Sequence, residues 1–257
     1  ISACLVGSEM CIRDSYNIVF MQFNRDIEGN LKPLPKPSVD TGMGLERISA
    51  VMQGTPDNYQ TDLFIPLIKK ISELTGEKDL LNPSLRVIAD HLRASCFMIS
   101  DGIAIGNEGR NYVLRRIIRR ALRHAYKLNS ENFYVMSKLA TYFSDTYKEL
   151  YPEIEKNNSF IEKALHEEEE KFGATLNQGM SLLDEEVKKL KGKVISGDLA
   201  FRLYDTFGFP LDMTIDFARE NNLNVDIEEY EKLMDLQKTR AKESNTFSSL
   251  LPSSIEV

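Results

Sequence analysis

At 257 residues, with 42% hydrophobic and 28% charged side chains, the chain is long enough for one or two domains with proper cores. No apolar run approaches the roughly 20 residues that span a bilayer, so no membrane partner is expected. A formal net charge of −7 excludes a generally basic nucleic-acid binder, and any RNA contact has to come from a local patch.

Cys4, Cys11 and Cys96 show no disulfide or zinc-ligand pattern, which fits a reducing, cytoplasmic setting. His91, His124 and His166 are far apart in the chain, so no histidine-based metal site is expected. Leu5–Ser15 reads as one frame of a transposon-based sequencing adapter. Residues 1–15 are therefore read as a fusion scar and kept out of the fold reasoning. The natural chain is expected to continue upstream of Tyr16.

Asn17–Phe23 is apolar on both alternating faces, which predicts a strand buried within a sheet. Glu28-Gly29-Asn30 marks a turn. Pro33, Pro35 and Pro37 then hold a second segment extended. Val39–Gly44 comes next and leads into a helix over about Leu45–Met52. From Thr61 the pattern is helical. The apolar stripes are Leu63, Ile65, Ile68, Ile71 and Leu74, then Leu85, Ile88, Leu92, Cys96 and Ile99, then Val113, Ile117, Ala121, Leu122 and Ala125. Phe133–Leu150 predicts a fourth helix and Phe160–Leu190 a long, charged fifth, with Glu167–Glu170 as its solvated face. Helices starting at Ser196, Leu211 and Ile227 complete the series, and Asn245–Val257 reads as a loose tail.

Two segments carry chemistry. Val39–Arg47 reads Val-Asp-Thr-Gly-Met-Gly-Leu-Glu-Arg. Gly42 and Gly44 let backbone approach a ligand, Arg47 one turn later can meet a phosphate, and Asp40 can hold a cationic amine. A plain turn is the alternative for a Gly-x-Gly alone. In Arg110–Lys127, Arg110, Arg115, Arg116, Arg119, Arg120, Arg123 and Lys127 come without an intervening acid. On a helix, Arg116, Arg119, Arg120, Arg123 and Lys127 share a broad face. This is either an RNA phosphate track or a face paired with acids from neighbouring helices. A membrane-surface helix fits less well, because the apolar face lacks bulky anchors.

These segments, with Tyr-Asn-Ile-Val-Phe-Met-Gln-Phe-Asn-Arg from Tyr16, Leu-Arg-Val-Ile-Ala-Asp-His from Leu85, Tyr-Val-Leu-Arg-Arg-Ile-Ile-Arg-Arg-Ala from Tyr112 and Leu-Tyr-Asp-Thr-Phe-Gly-Phe-Pro from Leu203, occur in the order found in the alanyl-tRNA synthetase family. From Tyr16 to about Phe247 the chain resembles that family throughout. The resemblance implies an α+β, mostly α fold. Residues 16–56 would be the remnant of a class II synthetase antiparallel sheet, residues 57–244 a helical tRNA-recognition domain, and residues 245–257 the lead-in to an editing domain. It implies ATP-dependent attachment of alanine to its tRNA through an alanyl-adenylate, with ATP, Mg2+, alanine and the tRNA acceptor stem as partners. Zinc would belong only to the editing domain.

By the same resemblance, Asp40 corresponds to the acid for the substrate ammonium and Asn17 to the asparagine that helps hold alanine. Gly42 lies where backbone approaches the substrate. Gly44 and Arg47 fall in the third class II motif, where the arginine contacts ATP. Asn107 and Asp205 correspond to the residues flanking the G·U pair of the acceptor stem, with helix capping as their alternative role. Arg116, Arg119, Arg120 and Arg123 would meet tRNA phosphates. Asn111 stands where the family usually has glycine, which would alter docking if that backbone needs a positive φ. The first and second class II motifs are expected upstream of Tyr16, so residues 1–257 alone are expected not to catalyse. The alternative function is a non-catalytic helical RNA-binding module. A weaker one is a structural helical protein whose arginines pair only with its own acids.

Overall fold

The structure, a computed structural model, describes residues 16–131, 133–190 and 192–248. The expected fusion scar and residues 249–257 of the expected tail lie outside them. The chain opens with β1 (Tyr16–Arg25) and β2 (Leu31–Met43), which form an antiparallel ribbon. Gly29 takes a φ of +92° in the connecting turn, where a side chain would be strained. Asp26 closes that turn by accepting from the Asn30 backbone N–H at 2.8 Å. The register breaks between Met21 and Phe23, opposite the proline-rich part of β2, where residues without an N–H are tolerated.

The expectation of a buried strand is corrected here. β1 is exposed along its whole length, with Phe20 72% and Phe23 55% exposed. Its apolar faces suit a covered strand, but among the described residues nothing packs over either face of the ribbon.

Gly44 leads into α1 (Leu45–Met52). This helix is fastened to the helical body. Gln53 and Asp62 exchange hydrogen bonds of 2.7 and 3.0 Å, and Glu46 pairs with Arg93, whose guanidinium lies 4.7 Å from the Phe64 ring centre. A 3-10 turn (Asn58–Gln60) precedes the remaining helices: α2 (Ile65–Thr75), α3 (Pro83–Ser100), α4 (Gly109–Leu128), α5 (Met136–Tyr147), α6 (Pro152–Lys189), α7 (Gly197–Phe207), α8 (Leu211–Glu220) and α9 (Ile227–Ser248). The last helix thus continues past Asn245, where a loose tail was expected. Between them, β3 (Val194–Ile195) and β4 (Asn224–Val225) pair in parallel. The α+β, mostly α expectation holds. No helix among the described residues is long and apolar enough to cross a membrane.

The local signals explain the boundaries. Pro83 sits in the first turn of α3, and Asn82 Oδ1 accepts from the Ser84 N–H at 2.9 Å. Ser196 caps α7 in the same way at 3.2 Å, and Gly208 ends it with a left-handed φ of +70°. One core runs from Phe64 to Ala218 and includes no residue of the ribbon. Leu85, Ile88, Leu92, Cys96 and Ile99 are all inside it.

Two expected faces are corrected. On α4 the inward stripe is Leu114, Ile118, Ala121, Leu122 and Ala125, while Val113 is exposed and Ile117 half-buried. Spacings of four, three and four residues make one straight stripe, and Val113 and Ile117 lie one residue off it. On α6, Glu167 and Glu170 face solvent but Glu168 and Glu169 are buried. They fall on the face of Leu165 and Phe172, and their charge is met inside. Glu169 accepts from the backbone N–H groups of Met136 (2.6 Å) and Ser137 (3.3 Å) and from the Ser137 hydroxyl (2.6 Å), capping α5 from another helix.

Candidate functional site

The ribbon register brings the expected amino-acid residues together. Asn17 pairs across the strands with Gly42, and Val19 with Asp40. Cross-strand partners point to the same side and side chains alternate with a period of two, so Asn17, Asp40 and Gly42 share one face. A Cβ on Gly42 would lie 2.7 Å from Asn17 Oδ1, so glycine there leaves room for the amide. Asp40 is exposed, and its Oδ1 accepts from the Thr41 N–H at 2.9 Å.

Gly44 is the N-cap of α1, in an extended conformation. Arg47, in the first turn, folds its stem back over it, with Cδ 3.4 Å from where a Gly44 Cβ would be. The strand end, the two glycines and a guanidinium thus lie in one short run. This arrangement offers an acid for an ammonium, a small-residue floor, and a cation beside helix N–H groups for a phosphate. Among the described residues no three His, Cys, Asp or Glu side chains converge to hold a metal ion.

The basic helix α4 lies against α6 and α8, and its cations meet acids there. Arg116 is 3.8 Å from Asp212, Arg120 2.7 Å from Asp216, and Arg123 and Lys127 are 3.0 and 3.1 Å from Glu220. The three acids are spaced four residues apart along one face of α8, so they form a ladder opposite the arginines. Burial pushes the Asp212 carboxyl up despite Arg116 and Arg120. At Glu220 burial acts the same way, but Arg123 and Lys127 outweigh it and hold the carboxyl below its usual value.

The arginines are not equivalent. The side chains of Arg116 and Arg120 are 45% and 37% exposed, whereas Arg119 and Arg123 are 16% and 3% exposed. The single broad outer face expected of them is thus corrected: Arg123 is interior. Arg119 donates to Glu168 Oε1 at 2.6 Å and to the Gly208 carbonyl at 2.7 Å.

Asn107, in the loop before α4, is exposed and accepts a hydrogen bond from Arg115. Asp205, near the end of α7, is exposed and accepts from Gln237 of α9. Neither is a helix N-cap: Glu108 occupies that position in α4 without a side-chain capping bond, and Ser196 caps α7. Asn111 lies in the first turn of α4 with no positive φ, so glycine is not required there for backbone freedom. Its Cβ closes on Gly106, where an added side chain would come within 2.9 Å.

Sequence reasoning offered acids of neighbouring helices as partners for the arginines, but named neither Glu168 nor the α8 ladder. The signal for the ladder was the four-residue spacing of Asp212, Asp216 and Glu220, whose first step matches that from Arg116 to Arg120.

The family model for tRNA synthetases class II (A) matches residues 5–256. The alanine–tRNA ligase of Hydrogenovibrio crunogenus is 55% identical over 234 residues, covering 91% of this chain and 27% of that protein. Those of Psychromonas ingrahamii and Idiomarina loihiensis are 52% and 50% identical over 232 residues, each covering 90% of this chain and 27% of the relative. The chain therefore spans about a quarter of the length of the curated relatives it matches. With a family match over nearly its full length, this chain belongs to the class II (A) tRNA synthetases.

Proposed function

We propose that this chain supplies the alanine-binding edge and the RNA-reading body of an alanine–tRNA ligase. In that reaction an alanine carboxylate oxygen attacks the α-phosphorus of ATP and pyrophosphate leaves. A hydroxyl of the terminal adenosine of tRNA then attacks the alanyl carbonyl, and AMP leaves. Asp40 holds the substrate ammonium through a charge-assisted hydrogen bond, Asn17 orients the amino acid, and Gly42 keeps the floor open. Gly44 and Arg47 face the ATP. Mg2+ would arrive with the triphosphate and supply charge neutralisation there; among the described residues no three His, Cys, Asp or Glu side chains converge to hold it. A cytoplasmic setting suits such an enzyme.

On the helical body, Asn107 and Asp205 read the acceptor stem. The more exposed Arg116 and Arg120 meet its phosphates, while Arg119 and Arg123 fix α4 in place.

The observation that carries this reading is the shared face of Asn17, Asp40 and Gly42, with Gly44 and Arg47 following at the strand end. The test is Asp40→Asn in a full-length ligase that contains this segment. The KM for alanine should rise and that for ATP stay unchanged, since only the ammonium partner is lost. An unchanged alanine KM would remove Asp40 from the site.

A second reading, a non-catalytic RNA-binding module, is favoured by the core, which starts at Phe64 and does not involve the ribbon. On that reading residues 1–257 bind tRNA without alanine-dependent ATP–pyrophosphate exchange. Exchange at enzyme-like rates from this chain alone would dismiss it.

A further inference from the structure

Glu168 lies on the inner side of α6 with 2% of its side chain exposed. It meets two arginines of α4. Its Oε1 accepts from Arg119 Nε at 2.6 Å. Its Oε2 lies 3.4 Å from Arg115 Nε, which is within ion-pair range though not aligned as a hydrogen bond.

Each arginine reaches further. Arg115 donates to Asn107 Oδ1. Arg119 donates to the carbonyl of Gly208, the C-cap of the helix that carries Asp205, and its guanidinium sits 4.9 Å from the Phe172 ring centre. Thr175, on the same face of α6, donates to the Phe207 carbonyl at 2.9 Å. One buried carboxylate thus connects, through two guanidiniums, the loop of Asn107 and the end of α7.

We propose that Glu168 is a positioning residue that sets the spacing and orientation of Asn107 against Asp205, and so the selectivity of the RNA-reading edge; this rests on the RNA reading above. The hydrogen-bond chemistry fixes what each residue presents. Arginine can only donate, so Arg115 takes the oxygen of the Asn107 amide and leaves its NH2 as a donor. Gln237 occupies Asp205 Oδ1 and leaves Oδ2 as an acceptor. A donor and an acceptor at fixed separation suit a G·U wobble in the shallow groove of A-form RNA, where the guanine amino group is left unpaired beside the uracil O2, whereas in G·C that amino group is bonded to the cytosine O2. Loss of the Glu168 charge leaves two guanidiniums without their shared buried partner and frees both segments to shift.

Glu169 provides the control. It is as buried as its neighbour and caps α5, but it touches neither arginine.

The experiment uses the 257-residue chain and two RNA hairpins that differ only in a G·U or G·C pair at the recognised position. The Kd ratio and the thermal midpoint are measured for Glu168→Gln, Glu169→Gln, Asn107→Ala and Asp205→Ala. Glu168→Gln should shrink the ratio about tenfold, the scale of one base-edge contact. Glu169→Gln should lower the midpoint and keep the ratio. If Glu168→Gln keeps the ratio while Asn107→Ala and Asp205→Ala lose it, the RNA reading stands and the positioning role is overturned. If Glu169→Gln loses it equally, general loosening is the cause and the role is again overturned. If Asn107→Ala and Asp205→Ala both keep the ratio, the RNA reading itself fails and takes this inference with it. Should Glu168→Gln not fold, Arg119→Lys gives the same comparison, because it keeps the charge beside Glu168 but loses the fork that reaches Gly208.

Discussion

Asn17 and Gly42 face each other across the ribbon so closely that a methyl group on Gly42 would come within 2.7 Å of the Asn17 amide oxygen. Gly42→Ala therefore has to push that amide aside. In a full-length ligase the alanine KM should rise about tenfold, the loss of roughly one hydrogen bond to a charged substrate. The ATP KM should not move, since Gly44 and Arg47 are untouched. Steady-state exchange assays at varied alanine decide this, and an unaltered alanine KM would show that Asn17 does not touch the substrate.

The α8 ladder makes an unusual expectation for RNA binding. Asp212→Asn with Asp216→Asn removes the carboxylates beside Arg116 and Arg120, which are more exposed than Arg119 and Arg123. RNA affinity should increase, and its salt dependence should steepen by roughly one unit for each guanidinium released. Arg116→Ala and Arg120→Ala should do the reverse. Filter binding at several salt concentrations reads both effects. Affinity that ignores all four substitutions would mean that RNA does not approach this face.

His124 gives the fold a pH dependence. It is buried, its Nδ1 lies 3.0 Å from Ser84 Oγ, and burial together with Arg123 depresses its pKa from 6.5 to about 4. As the pH falls the unfolded chain takes up this proton first, so the contribution is complete above about 6.5 and is lost on the way down to about 4. Urea unfolding should show a loss on the order of 2 kcal/mol between pH 7 and pH 5 from this group. His124→Gln should flatten that part of the profile.

The cap that Glu169 places on α5 should be among the costlier ones to remove. Glu169→Ala leaves the N–H groups of Met136 and Ser137 and the Ser137 hydroxyl without their acceptor. A loss of about 2–4 kcal/mol is expected from these buried groups. Glu169→Gln keeps an acceptor in place and should cost less. Chemical denaturation of the two variants side by side makes the comparison, and equal losses would mean that packing rather than capping sets the cost.

The helices were legible because their apolar stripes repeat cleanly. Leu85, Ile88, Leu92, Cys96 and Ile99 are spaced as one face of a helix and are buried as one. α4 slipped by one residue, since Val113 and Leu114, and likewise Ile117 and Ile118, are neighbours of similar hydrophobicity. Glu168 and Glu169 were not legible. In a run of four glutamates, composition says solvent, and only the partners on α4 and α5 make burial of the middle two tolerable. The β3–β4 pair is too short to carry a periodic signal. At the ribbon the two glycines, Asp40 and Arg47 were visible as a motif. That Asn17 stands opposite Gly42 depends on a strand register, which residues spaced along one strand do not fix by themselves.

The long helix α6 touches α3, α4, α5 and α7. Ile161, Leu165, Phe172 and Leu176 form its sealed middle. Opening that stretch requires most of the helical body to come apart, so its amide protons would be the last to exchange with deuterium. The ribbon amides are held only by a partner strand that is itself open to water, and they would exchange early. The segment proposed to hold the amino acid and the segment proposed to read the RNA would then exchange on separate timescales, with α1 as the seam between them.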